Sequence, residues 1–179
     1  AKHDYEMRYS PVDIGAVAGH DRGGRVAYRL ALDHPEAVTA PIPVDIIPTA
    51  EVWRRTTAES MLKSYHWAFL VQPHPMPESL IAKDPVYYLE HTLKSWAKPR
   101  DLSPFSDAAL AHYRASFNDP ARIHAMCEDY RAGASIDRQL DEADLAAGRK
   151  IGCPTFVLWA RSYLAGDPLA AWRGWSTKL

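Results

Sequence analysis

The chain alternates between short apolar runs closed by glycine or proline and longer stretches in which apolar residues recur every three or four positions. Val12 to Ala18 is a short apolar run that ends at a glycine, which predicts a strand buried on both faces. After the Gly23-Gly24 pair comes RVAYRLALDHP, where Val26, Ala27, Leu30 and Ala31 recur at helical spacing until Pro35 stops the run. Ile42 to Ile47 predicts a second strand, bounded by prolines and ending beside Asp45. Strand, tight turn, helix and strand make the βαβ unit of a mostly parallel sheet. Pro41 and Pro43 stand where a central strand would want amide donors, so a distorted strand is one expectation there.

From Thr49 to about Leu145 the texture changes. The segment is rich in Trp, Tyr, His and Pro, with helical patterns near Ala50–Phe69, Val86–Trp96, Asp107–Ser116 and Pro120–Tyr130 and no strand pattern. The sheet pattern returns at CPTFVLWA, where Thr155 to Leu158 predicts a central strand. The expected organisation is therefore a core in two parts, 1–48 and 146–179, with a helical cap at 49–145 inserted between them. Function in open α/β sheets gathers at the carboxyl ends of the strands, so a cap placed there would cover a site.

Composition narrows the functional classes. Of 179 residues 47% are hydrophobic, enough for one good core. Lysine and arginine number 21 and acidic residues 22, intermingled to a net charge of -1, so the basic stripe of a nucleic-acid binder is missing. Cys127 and Cys153 lie in unrelated contexts without a CxxC pair and read as two buried thiols in a reducing compartment, with a disulfide as the alternative. No apolar run reaches the roughly 20 residues of a bilayer span, and the opening AKHDYEMRYS is too polar for a signal peptide, which makes the cytoplasm the expected location. His74, His91, His112 and His124 show no metal-ligand spacing in the sequence.

The candidate chemistry lies at Gly19-His20-Asp21-Arg22-Gly23, which has the G-x-nucleophile-x-G form of a nucleophile elbow between a buried strand and an amphipathic helix. Glycines at the two flanking positions would remove Cβ atoms that collide in so tight a bend. An aspartate here is already ionised near neutral pH. It can attack a saturated carbon, displacing a halide or opening an epoxide, and leave an ester on the enzyme. Hydrolysis of that ester calls for a histidine base oriented by a second carboxylate. The plainer alternative is that Asp21 only caps the following helix. Arg22 and Arg25 lie three apart at the helix start, where both guanidinium groups can lean over one mouth and offer planar donor forks to a carboxylate. A solvated face with a surface ion pair is the plainer reading of Arg25.

The runs GHDRGGRVAYRLALDHPEAV, VDIIPT, YHWAFLVQPHPMPESLI, CEDYRAGASID and CPTFVLWA with DPLAAWRGW together resemble the fluoroacetate (haloacetate) dehalogenases of the α/β-hydrolase superfamily, in the same order and over nearly all of residues 14–175. The resemblance implies an α/β-hydrolase fold, incomplete here, with a mostly parallel sheet and an inserted helical cap. It implies Asp21 as nucleophile and Asp45 as the carboxylate that orients the base. It implies Arg22 and Arg25 as the substrate-carboxylate pair and His66, Trp67 and Tyr130 as the halide cradle. Each of these three can present an N–H or O–H donor to an anion, although an indole or phenol in a helical block more often serves packing.

Against the family pattern, the first strands with their histidine-glycine loop do not precede Val12, and the loop carrying the base histidine would fall after Leu179. The chain is accordingly expected to be a truncated or gap-closed part of a longer enzyme, with a short paralogue or a processed subunit as the alternatives. The implied reaction is hydrolytic dehalogenation of a short 2-halo acid such as haloacetate through an aspartyl ester, without metal or organic cofactor. Its partner would be a small anionic halogenated substrate, with no nucleic acid and no membrane, and a homodimer left open. Two alternatives stand beside it. One is an epoxide hydrolase that protonates the opening ring from Tyr130 or Tyr65. The other is an inactive small-molecule-binding relic.

Overall fold

The computed structural model describes residues 15–160 and 167–179, so the Val12–Ile14 start of the first predicted strand lies outside the described residues. Two compact units emerge, one running up to Arg55 and resuming at Asp137, the other spanning Thr56–Ile136.

In the first unit, β1 (Gly15–His20) is followed by α1 (Arg22–Asp33) and β2 (Val38–Val44), and the two strands pair in parallel. This is the βαβ unit that the periodicity predicts. The second strand begins four residues earlier than its apolar run, because Val38 is a core residue and Pro41 and Pro43 lie inside the strand rather than before it. Helix α1 turns Ala27, Tyr28, Ala31 and Leu32 inward, while Val26 is 66% exposed. The large inward residue is therefore Tyr28, which an apolar count passes over.

The prolines explain why the expected third strand is only a fragment. In an extended chain the N–H and C=O of one residue point to the same side. The Pro41 and Pro43 carbonyls accept from Phe156 and Leu158 at 3.1 Å each, so that side of β2 has acceptors but no proline donors to return. Pairing of Thr155–Leu158 is thereby reduced to a single Val44–Leu158 bridge, closed by Asp45 N–H donating to Leu158 at 2.8 Å. The sequence prediction of a regular central strand there is corrected accordingly. Two parallel strands among the described residues, with helices from the same chain, form part of an α/β-hydrolase fold.

Helices α2 (Thr49–Arg55), α9 (Ile136–Ala146) and α10 (Pro168–Trp172) complete this unit. The core holds Tyr28, Leu32, Val38, Ile46, Ile151, Trp172 and Trp175. Tyr28 meets both indoles edge-on, with centroids 5.5 and 6.1 Å away, and the Trp172 indole N–H donates to the Ile46 carbonyl at 3.1 Å. Fully buried Asp141 on α9 ties the layers: it accepts from the Tyr28 hydroxyl at 2.7 Å, the Ala50 amide at 3.0 Å and Arg29 at 3.1 Å. Burial is the largest influence on Asp141 and raises its pKa, against the pull of these donors.

The second unit is helical: α3 (Ala58–Lys63), α4 (Tyr65–Leu70), α5 (Met76–Ile81), α6 (Pro85–Trp96), α7 (Asp107–Phe117) and α8 (Pro120–Ala134). The single helical pattern over Ala50–Phe69 is in fact three helices. Thr57 forms a capping box with Ser60 that starts α3 afresh, and Ser64 separates α3 from α4. Asp84-Pro85 and Asp119-Pro120 open α6 and α8, each aspartate accepting a first-turn N–H while proline occupies a position that needs no donor. Leu70, Ile81, Ile123, Cys127 and Tyr130 form the core of this unit. Among the described residues, no helix is long and apolar enough to cross a membrane.

Candidate active site at the strand ends

The parallel register pairs His20 with Val44, so the next residues, Asp21 and Asp45, leave the ends of neighbouring strands side by side. Both have left-handed backbone, φ 50° at Asp21 and φ 54° at Asp45, a conformation that costs non-glycine residues on the order of 1–3 kcal/mol. Such strain at two adjacent strand ends marks a place where side-chain direction matters more than backbone comfort.

At the elbow, the Asp21 amide reaches the Val44 carbonyl at 3.4 Å and its own carbonyl starts α1 by accepting from Arg25 N–H at 3.2 Å. Its carboxylate makes no capping hydrogen bond, so capping does not account for the residue. A Cβ on Gly19 would lie 2.2 Å from the Gly23 carbonyl oxygen, and one on Gly24 would lie 2.7 Å from the Gly19 oxygen. A Cβ on Gly23 meets nothing within 4 Å. The steric requirement thus falls on Gly19 and Gly24, not on the symmetric Gly19/Gly23 pair that the motif implies.

Asp45 accepts from the Ala160 amide at 2.5 Å and lies 3.9 Å from Nε2 of exposed His20. The His20 contact escapes sequence reasoning, because His20 precedes the nucleophile in β1 and meets Asp45 only through the register. Arg22 forms an ion pair with Asp137 at 3.4 Å. Arg25 is buried rather than on a solvated face, and donates to the Ile47 carbonyl at 3.2 Å and to the Thr49 hydroxyl at 3.1 Å. Both arginines therefore have partners within the sheet unit.

In the helical unit, His66, Trp67 and Tyr130 come together. The Tyr130 ring is met edge-on by His66 and by Trp67, each with centroids 5.7 Å apart. Tyr130 also belongs to the buried core, so packing and any donor role coexist in one residue. His74 and His124 converge as well: both bring Nδ1 to the same oxygen of Glu78, at 3.3 and 3.1 Å. No metal-ligand spacing in the sequence announces this grouping, which arises only in the folded chain. Fifty positions separate the two histidines, and only the packing of α5 on α8 unites them.

No family model matches the chain. Individual relatives do. It is 43% identical over 141 residues to a fluoroacetate dehalogenase from a Burkholderia species, covering 79% of this chain and 45% of the relative. It is 28% identical over 163 residues to a soluble epoxide hydrolase from Corynebacterium sp. (strain C12), covering 90% and 55%. A solved structure described as that of a candidate epoxide hydrolase from Pseudomonas aeruginosa superposes with a TM-score of 0.84 at 47% identity, over 91% of this chain and 55% of that one. These likenesses and the strand–elbow–helix geometry define a protein of the α/β-hydrolase fold. Within that class it is related both to fluoroacetate dehalogenases and to epoxide hydrolases, a broader kinship than the haloacetate dehalogenase resemblance alone. The chain spans about half the length of the relatives it matches.

Proposed function

We propose that the chain carries the nucleophile of a hydrolase that forms an alkyl–enzyme ester at Asp21. The observation that carries this reading is the elbow: a strained, uncapped aspartate at a strand end, with its neighbour Asp45 one strand away. A carboxylate oxygen of Asp21 forms the new C–O bond as the substrate's C–O or C–halogen bond breaks, and the leaving oxygen or halide takes the electron pair. Asp45 is the carboxylate that orients the base in the second half-reaction, when water attacks the ester and gives up its proton.

The first substrate class is an epoxide, supported by the similarity to epoxide hydrolases and by the arginines. Arg22 is engaged by Asp137 and Arg25 by Ile47 and Thr49, which weakens the case for a dedicated carboxylate clamp. In this reading Tyr130 or Tyr65 supplies the proton to the alkoxide. The second class is a short 2-halo acid, supported by the 43% identity to a fluoroacetate dehalogenase. Here Arg22 and Arg25 hold the substrate carboxylate, and His66, Trp67 and Tyr130 stabilise the halide.

The test is mass spectrometry of the protein after incubation with a terminal epoxide and, separately, with chloroacetate and fluoroacetate. An ester on Asp21, absent in Asp21→Asn, is the expected product. An adduct from the epoxide alone assigns the first class, and an adduct with stoichiometric halide release from the acids assigns the second. Turnover of either substrate by the Asp21→Asn variant would overturn the nucleophile assignment.

A further inference from the structure

We infer that His74, Glu78 and His124 form a binding site for a divalent transition-metal cation of the zinc type on the surface of the helical unit. His74 stands in the turn before α5, Glu78 one helical turn further on, and His124 on the facing side of α8. One ligand atom from each lies within 4.8 Å of the other two. The histidine-to-carboxylate separations of 3.1 and 3.3 Å are close to the roughly 3.4 Å between ligands held about 2.1 Å from one tetrahedral ion.

Imidazole nitrogen with carboxylate oxygen is a borderline-soft donor set that suits zinc and its neighbours better than calcium or magnesium, which prefer oxygen alone. The two imidazoles are half-exposed and can adjust, whereas Glu78 is held in place. Arg131 fixes it, donating at 2.7 Å to Oε1, the oxygen that both imidazoles approach, and at 3.0 Å to Oε2, and is itself held by the Gln72 carbonyl. The guanidinium charge is no bar, because Glu128 pairs with the same Arg131 at 2.6 Å. Two carboxylates against one guanidinium leave the cluster with a net negative charge when the imidazoles are neutral.

Without a metal, the two Nδ1 atoms would share the Glu78 oxygen through protons alone, which makes a hydrogen-bonded cluster the competing explanation. A cation replaces those protons, and this distinguishes the two. Zinc titrated into the 179-residue chain, followed by calorimetry and by nitrogen-15 spectra of the imidazoles, is expected to show one equivalent bound with the His74 and His124 signals shifted together. Cobalt(II) should give visible d–d absorption that zinc abolishes. His124→Gln and His74→Gln should each weaken binding by at least the roughly 10- to 100-fold that loss of an outer-shell partner costs, while His91→Gln leaves it unchanged. Saturating zinc should also raise Tm in the wild-type chain and less in either variant.

Zinc that shifts neither imidazole in the wild-type chain would overturn the site, whatever the variants do. So would binding of equal strength in the His74→Gln/His124→Gln double variant.

Discussion

Gly19 and Gly23 approach across the elbow so closely that a methyl group on Gly19 would sit 2.2 Å from the Gly23 carbonyl oxygen, yet one on Gly23 would touch nothing. Two glycines that look equivalent in the motif therefore have opposite tolerance. Gly19→Ala must push backbone against backbone, since the contact is not with a flexible side chain. It is expected to cost more than about 3 kcal/mol or to prevent folding, placing it in the severe tail of single substitutions. Gly23→Ala lies exposed in the first turn of α1 and is expected to be neutral or to stabilise by up to about 1 kcal/mol. Urea denaturation of the two variants measures the contrast, and similar losses in both would contradict it.

Arg25 separates structural from substrate roles. Arg25→Ala removes the donor to the buried Ile47 carbonyl and Thr49 hydroxyl, and leaving such acceptors unpaired costs about 1–3 kcal/mol of stability. If Arg25 also holds a carboxylate, ester formation from chloroacetate falls much further than ester formation from a neutral epoxide. Equal losses on the two substrates would confine Arg25 to the structural role.

Acid should loosen the helical unit through Glu90. Its carboxyl is held below the usual value of 4.5, first by hydrogen bonding to Arg114, which donates from two guanidinium nitrogens at 3.0 and 2.6 Å, and also by Lys94. A folded-state pKa below the unfolded one adds stability above about pH 4.5, and that increment disappears as the pH falls through the folded value. Thermal melts between pH 6 and pH 3 should therefore show a shallower acid loss in Glu90→Gln than in the wild-type chain. Partial exposure of both side chains keeps the effect modest.

The two thiols should react at different rates. Cys127 is fully buried, and desolvation pushes its pKa up to about 11, so little thiolate forms near neutral pH. Cys153 is partly exposed, which corrects the expectation that both thiols are buried. Iodoacetamide is expected to label Cys153 in the native chain and Cys127 only after denaturant is added, as peptide mass spectrometry would reveal. Labelling of Cys127 at the native rate of Cys153 would contradict the packing of α8.

Local rules determined much of this protein. The G-x-D-x-G turn, the apolar run before it and the helical repeat after it are set by neighbours a few residues apart, and they suffice to place Asp21 at an elbow between β1 and α1. The Asp-Pro helix starts and the helical character of residues 56–136 are local in the same sense. Tertiary structure decided the rest. The adjacency of Asp21 and Asp45 depends on parallel register, and the pairing of His20 with Asp45 follows from it. The burial of Arg25 depends on a carbonyl and a hydroxyl more than twenty residues away. Pro41 and Pro43 could be seen in the sequence, but which side of β2 they deprive of donors depends on which neighbour lies there. Glu78, His74 and His124 become one cluster only when α5 packs on α8, because contacts between distant segments are fixed by the burial of their shared apolar faces and leave no period in the chain to read.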